Sequence, residues 1–390
     1  MSGERPPLEG FAAALAGLPA MGPSRIAALL DTWPADDAWA RVVEGRAMRH
    51  ERVESTCGPR PARIASEWRR AARATDVAEH WSRYAAHGVG VRVLGHHGYP
   101  VALADDNDPP RVLFHRGDLD ALHGTRASIV GTRRCTRYGH DISFEFGRDL
   151  ARAGVRVVSG LALGIDGAAH RGALEATDDG GAPPIGVVGS GLDVIYPKAH
   201  ARLWDEVARA GVLLSEAPLG AAPEPWRFPA RNRIIAALGS VVVVVESHPR
   251  GGSRHTVDEA AARGRRVLAV PGSVRSAASA FTNELLAEGC HPARDSTDVL
   301  VALGLSTSVA GTAVAGGADG AGRADRRRAP DAMGSSVLDA LGWDAASLEE
   351  LAARTAQPPA RLSVVLNHLE RDGWVEVRGG WWERITEVAG

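Results

Sequence analysis

From Ala127 to about Leu303, short apolar runs alternate with stretches whose apolar residues recur every three or four positions. The runs are Ser128–Val130, Arg156–Ser159, Ile185–Val188, Val212–Ser215, Val241–Glu246 and Val267–Val270. A half-buried strand alternates apolar and polar side chains. A run that is apolar at nearly every position suits a parallel strand covered on both faces. Between the runs, Ile142, Phe146, Leu150 and Ala153 keep helical spacing, as do Val257, Ala260 and Ala261. This alternation predicts an α/β domain built on a Rossmann-like, doubly wound parallel sheet. Ligands of such sheets bind beyond the carboxyl ends of the strands, at the point where the strand order reverses.

The flanks read differently. Residues 1–95 are alanine-rich and predict a mostly helical domain. Within it, LAGLPAMGPSRIAALLDTW sets Pro19, Gly22 and Pro23 between two helical patterns. That arrangement looks like a helix-hairpin-helix, whose turn offers backbone N–H groups to a DNA phosphate. Ala20 stands where the first glycine of such a turn is expected, which favours a plain helical scaffold. Two short strands around a turn-rich segment, Val91 to Asp118, lead into a domain spanning residues 96–303. Residues 304–334 are rich in Gly, Ala, Ser and Thr and predict a flexible linker. In residues 335–390, three helical patterns precede WVEVRGGWWERI, a hairpin around Gly379-Gly380, and together predict a winged helix-turn-helix domain. Its third helix balances Arg361 and Arg371 against Glu370 and Asp372, so a protein contact is expected of it instead of base reading.

Charge narrows the function. The net charge is −2, so no global field draws the chain to nucleic acid or anionic membrane, and any polyanion site must be local. Cys57, Cys135 and Cys290 are far apart, which fits a reducing, cytoplasmic setting and offers no metal-ligand spacing. Neither a metal nor a cofactor is expected. The N-terminus lacks a signal-peptide pattern. The longest apolar run, around Ile234 to Val245, is broken by glycine and serine and too short to span a bilayer.

The loops that follow the strands carry the candidate chemistry. They read GTRRCTRYG, GLALGIDGAAH, GSGLDVIYPKAH, EAPLGAAPEPWRFPARNR and SHPRGGSRHT. Lys198, in the third, is the one lysine among 45 Lys and Arg residues. A strand, glycine turn and helix aim backbone N–H groups at a phosphate, and an ammonium serves there as a point charge. A single arginine is usually a solvated surface charge. Arg133, Lys198, Arg231 and Arg233 together on the ligand-binding edge predict an anion site. Nicotinamide dinucleotide binding is excluded, because the first turn lacks G-x-G-x-x-G and Ser159 ends the second strand in place of an acid. Lys198 is in no Walker A sequence, so ATP hydrolysis has no support either.

These residues resemble the DNA-processing protein A (DprA/Smf) family. The resemblance runs from Gly98-Tyr99-Pro100 to about Val301 and extends to the last domain. It is carried by SIVGTRRCTRYG, VVSGLALGIDGAAHRGAL, VVGSGLDVIYP, LLSEAPLG, FPARNRIIAAL, GRRVLAVPG and NELLAEG. It implies a single-stranded DNA-binding protein that dimerises through its Rossmann-like domain and loads the RecA recombinase during natural transformation. It places Arg133 in the family's G-S-R loop, with Thr132 for the serine. Lys198 falls in its Y-P-x-x-N stretch, with His200 for the asparagine, and Phe228, Arg231, Asn232 and Arg233 match F-P-x-R-N-R. Arg133, Lys198, Arg231 and Arg233 would neutralise phosphates. Gly131, Gly160, Gly189, Ser190 and Gly191 would offer N–H groups, with Thr132 and Ser159 beside them, and Trp226, Phe228 and Tyr196 are candidate stacking surfaces. Two departures stand out. The family's S-G-x-L-I-T loop reads GGSRHT (Gly251 to Thr256), which sets Arg254-His255 on the pocket rim, and the glycine two before Asn283 is Phe281.

Two other functions fit parts of the pattern. PRGGSRHTVDE, Pro249 to Glu259, echoes the P-G-G-x-G-T-x-x-E loop of LOG-type phosphoribohydrolases, where Glu259 would stabilise an oxocarbenium-like centre. A first-turn helix acid explains Glu259 equally. A small-ligand sensor reporting through the winged helix is the third class.

Overall fold

The computed structural model describes residues 5–305, 330–342, 346–378 and 381–385. Two compact units divide the chain, one ending at Ala310 and one beginning at Gly311.

The first unit is organised by a nine-stranded sheet. Its strands are β1 (Gly90–Val93), β2 (Val112–Gly117), β3 (Arg126–Val130), β4 (Arg156–Ser159), β5 (Ile185–Val187), β6 (Val212–Ser215), β7 (Val241–Val244), β8 (Arg266–Ala269) and β9 (His291–Pro292). They lie in the order β1-β2-β6-β5-β4-β3-β7-β8-β9. From β6 to β9 every pairing is parallel, while β1 and β2 add an antiparallel edge. The chain runs outward from β3 to β6 and returns to place β7 against β3, so the order reverses between β3 and β7.

The uninterrupted valines of β7 show why such runs are apolar throughout. Val241 and Val243 join a core with Phe146 and Leu150 of helix Arg137–Arg152, whereas Val242 and Val244 join the opposite core with Ile234 and Ile235 of helix Arg227–Leu238. Successive side chains point to opposite faces, and both faces are covered. This is the doubly wound arrangement expected from the pattern.

The N-terminal helices pack onto the antiparallel edge. Leu15, Leu29, Trp39, Trp68 and Tyr84 share one core with Val91, Phe114 and Leu213 of the sheet. Tyr84 and Phe114 stack with centroids 5.5 Å apart. Arg111 reaches Asp31 through two hydrogen bonds, of 2.7 and 2.9 Å. The hairpin between helices Leu8–Ala16 and Pro23–Leu30 forms with Ala20 at φ +54.

The second unit holds helices Ala332–Leu341, Leu348–Thr355 and Pro359–Arg371. Its sheet has the order β10-β12-β11, from β10 (Ala346–Ser347), β11 (Val375–Arg378) and β12 (Trp381–Arg384). This is a winged-helix domain. Its first helix starts at Ala332, inside the stretch read as linker, because Asp331 caps it by accepting from the Gly334 N–H at 2.7 Å. The rest of the expected linker, residues 306–329, and the turn Gly379-Gly380 lie outside the described residues. β10 is too short to leave a periodic signal. No described helix is long and apolar enough to cross a membrane.

Candidate nucleic-acid interface

The carboxyl ends of β3, β4 and β7 open onto a cleft of about 420 Å³. Gly131, Thr132, Arg133 and Arg134 form one wall, Phe228, Arg231 and Asn232 another, and Gly251, His255 and Thr256 the far rim. A shallower extension of about 90 Å³ shares Arg133, Phe228 and Arg231 and continues past Gly160, Gly189, Ser190 and Tyr196.

The cations expected here divide into two kinds. Arg133 and Lys198 are exposed. The Arg133 guanidinium lies 4.8 Å from the centre of the Phe228 ring, and the Tyr196 ring lies 5.6 Å from the same ring. A cation and two aromatic faces therefore stand together at the mouth. Lys198 begins a short 3₁₀ turn just beyond Tyr196-Pro197 and lines neither cavity. Arg231 and Arg233 are buried, at 7% and 6% exposed. Arg231 donates through Nη1 to the carbonyls of Gly160 and Val187 at 2.7 and 2.6 Å. Burial pulls its pKa down and the nearby Asp166 carboxylate pulls it back. Arg233 points away from the cleft, to the Asp108 carbonyl at 2.7 Å and to the Glu216 carboxylate. Helical periodicity explains the split, since Arg231 and Arg233 are two positions apart on one helix and cannot share a face.

The small residues are mostly structural. The Ser159 hydroxyl is fully buried and donates to the Ile129 carbonyl at 2.6 Å. Ser190 Oγ donates to Val194 O at 2.7 Å, and the Gly191 N–H donates to Ala221 O at 2.9 Å. Gly160 has no side chain because Arg231 occupies its place: a Cβ there would lie 1.8 Å from Arg231 Nη1. At Gly131 a Cβ would meet Ile165 and the Glu246 carbonyl, so that glycine also serves close packing. Gly189 stays partly open beside Phe228. Asn232 Nδ2 donates to Gly252 O at 3.3 Å and ties the helix to the far rim.

Three groups that hold the cleft were not among the expected residues. Glu246, 1% exposed at the end of β7, accepts from the Thr136 N–H at 2.8 Å and the Thr136 hydroxyl at 2.6 Å, while its carbonyl accepts from the Thr132 N–H at 2.7 Å. It therefore clamps both ends of the Arg133 loop. A carboxylate closing a run of valines was the available signal. Asp166 is buried in the cleft wall and accepts from the Gly160 N–H at 3.2 Å. Burial pushes its pKa up, opposed chiefly by Arg231. His200, in the place of the family's asparagine, turns inward: Nδ1 donates to the Leu161 carbonyl at 2.9 Å and Nε2 accepts from Arg171 at 3.1 Å. It supports Leu161, which holds a left-handed φ of +55.

The two departures from the family pattern meet each other. Arg254 leaves the rim, pairs with Glu284 at 3.0 Å and lies 4.4 Å from the Phe281 ring centre, so His255 alone of the basic pair faces the cleft. Phe281 is buried at 2% exposed and its N–H donates to Ser247 O at 3.1 Å, which closes the strand–helix loop. Glu259 lines no part of the cleft; it pairs with Arg263, which also holds Asp106 at 2.8 Å. The hydrolase reading is therefore not favoured.

Comparison with known proteins agrees with this architecture. Residues 90–304 match the family model for DNA recombination-mediator protein A, and residues 322–380 match the DprA winged helix domain. Protein Smf of Escherichia coli is 33% identical over 296 residues, which take in 74% of this chain and 76% of its own length. DNA processing protein DprA of Bacillus subtilis is 36% identical over 55% of this chain and 72% of its own. The X-ray structure of DNA processing protein A from Streptococcus pneumoniae superposes with a TM-score of 0.62 at 32% identity, over 75% of this chain and 96% of that one. The chain belongs to the DNA recombination-mediator protein A (DprA/Smf) family of DNA-processing proteins.

Proposed function

We propose that this chain is a non-catalytic, cytoplasmic recombination mediator that binds single-stranded DNA along the cleft, protects it, and loads the RecA recombinase during natural transformation. It would act as a homodimer joined through the Rossmann-like domain. One observation carries the reading: Arg133, Phe228 and Tyr196 stand side by side at the strand ends. A cation neutralises a phosphate and ring faces receive bases that a duplex keeps stacked inside. Arg231 supports the site from beneath, and Lys198 is a free cation farther along the edge. The RecA and dimer assignments follow from the family resemblance.

Fluorescence anisotropy with a labelled oligothymidylate and the matching duplex tests the reading. Single strands should bind at least about tenfold more tightly, and Arg133→Ala should remove most of that advantage. Equal affinity for both forms would overturn it. Light scattering on the purified protein checks the dimer, and a RecA strand-exchange assay with and without the protein checks loading.

A further inference from the structure

The hairpin turn, the exposed Trp226 and the neighbouring Arg227 face one another outside the cleft. With Ala20 at φ +54, the turn makes the left-handed step that glycine usually supplies. At the start of the eight-residue helix Pro23–Leu30, Pro23 brings no N–H and the Arg25 N–H donates to the Gly22 carbonyl at 3.1 Å, which leaves the Gly22 and Ser24 N–H groups as the donors without helical partners. A Cβ on Gly22 would lie 3.9 Å from the Trp226 indole. Between the turn and the loop Pro218 to Arg227 runs a groove of about 850 Å³, with Ser24 and Arg25 on its wall. Trp226 is 44% exposed, and the Arg227 guanidinium lies 4.4 Å from its ring centre. Glu224 accepts from Trp226 Nε1 at 2.9 Å and Arg227 Nε at 3.3 Å, so its charge is matched locally.

This groove adjoins the cleft. Helix Arg227–Leu238 starts between them, with Trp226 and Arg227 on the groove and Phe228 on the cleft. Val188, Gly189 and Arg231 line both the small cavity beneath Trp226 and the extension beside Tyr196. Arg231 is 7% exposed, and its Nε has no hydrogen-bond partner. Arg231 lines the cleft, its extension and the small cavity beneath Trp226, so a buried donor without a partner stands between the cleft and Trp226.

We propose that the single strand held in the cleft continues past Phe228, stacks a base on Trp226 and sets a phosphate on the N–H groups opening helix Pro23–Leu30. This rests on the reading of the cleft as a single-strand site. Trp226 carries the Arg227 guanidinium over one face and still exposes 44% of its surface to an unpaired base, which a duplex does not present.

The test uses the full chain with oligothymidylates of about six and about twenty nucleotides, spanning the usual range of single-strand site sizes. Trp226→Ala and Ser24→Glu should each weaken binding of the longer strand about tenfold and leave the shorter within about twofold. Glutamate in a first helical turn favours the helix, so Ser24→Glu should fold, as circular dichroism will check. Ser24→Arg should tighten the longer strand alone. Loss on neither strand, or equal loss on both, overturns the proposal. Loss of duplex binding with the longer single strand unchanged would also overturn it and make the hairpin a duplex site. Arg133→Ala should weaken both lengths; if it weakens neither, the cleft reading itself fails.

Discussion

Arginines near the same strand ends do different work in this protein according to burial. Arg133 ends in solvent over Phe228, whereas Arg231 ends on two carbonyls beside Asp166. Arg133→Ala should flatten the slope of log affinity against log salt by roughly 0.7, one single-strand phosphate, with stability changed by less than about 0.5 kcal/mol. Arg231→Ala leaves Asp166 without its charge partner and two carbonyls without a donor. It should cost about 3 kcal/mol in urea unfolding, whatever it does to binding. Lys198→Ala should flatten the salt slope by roughly the same 0.7 with similar loss for all base compositions, if that ammonium reaches the strand. An unchanged slope would identify Lys198 as an ordinary surface lysine. Motif spacing identified these residues, but it did not say which would be buried, because that depends on what helix Arg227–Leu238 packs against.

At the scale of elements, the loops after the strands are held by contacts that no local pattern contains. Glu246, two residues beyond β7, clamps the loop after β3, and His200 supports the loop after β4. The left-handed Ala20 is a further case of local strain tolerated by packing. Ala20→Gly should relieve about 1 kcal/mol and raise the unfolding midpoint without altering the fold. Buried His170, on helix Ile165–Thr177, donates through Nε2 to Ile185 O at 3.1 Å, and burial pushes its pKa down to about 4. Its folded pKa lies below the unfolded value of about 6.5, so the unfolded chain takes up the proton first. The stability it contributes is whole above about pH 6.5 and declines as pH falls toward 4, by about 3 kcal/mol. Urea midpoints measured across that window should fall with acid, and His170→Asn should lessen the dependence.

For the whole molecule, the first unit contains the cleft, the hairpin groove and the core they share. A chain ending near Leu303 should therefore keep its affinity for single strands within about tenfold, by anisotropy. A larger loss would make the winged-helix domain part of the DNA site. Glu259→Gln should leave DNA binding unchanged, and no ribose phosphate should be released from nucleoside monophosphates, since Glu259 is held by Arg263.

The sheet, its covering helices and the edge bearing the site were readable in the sequence because burial on two faces demands apolar residues at every position of β7 and its neighbours. The ends of β4 and β6 were read at Arg156–Ser159 and Val212–Ser215, where the structure has them. The short β10, the cap at Asp331 and the inward turn of His200 were not readable. Each depends on a partner distant in sequence or on a single hydrogen bond. The same holds for the pairing of Arg254 with Phe281 and Glu284: as separate positions they read as two defects, and only their contact in space makes them one surface. Residue types and spacing determined which loops gather glycines and cations at the carboxyl ends of the strands. Tertiary packing decided which of them reach solvent, because two positions on one helix point apart and only one side of that helix faces the cleft.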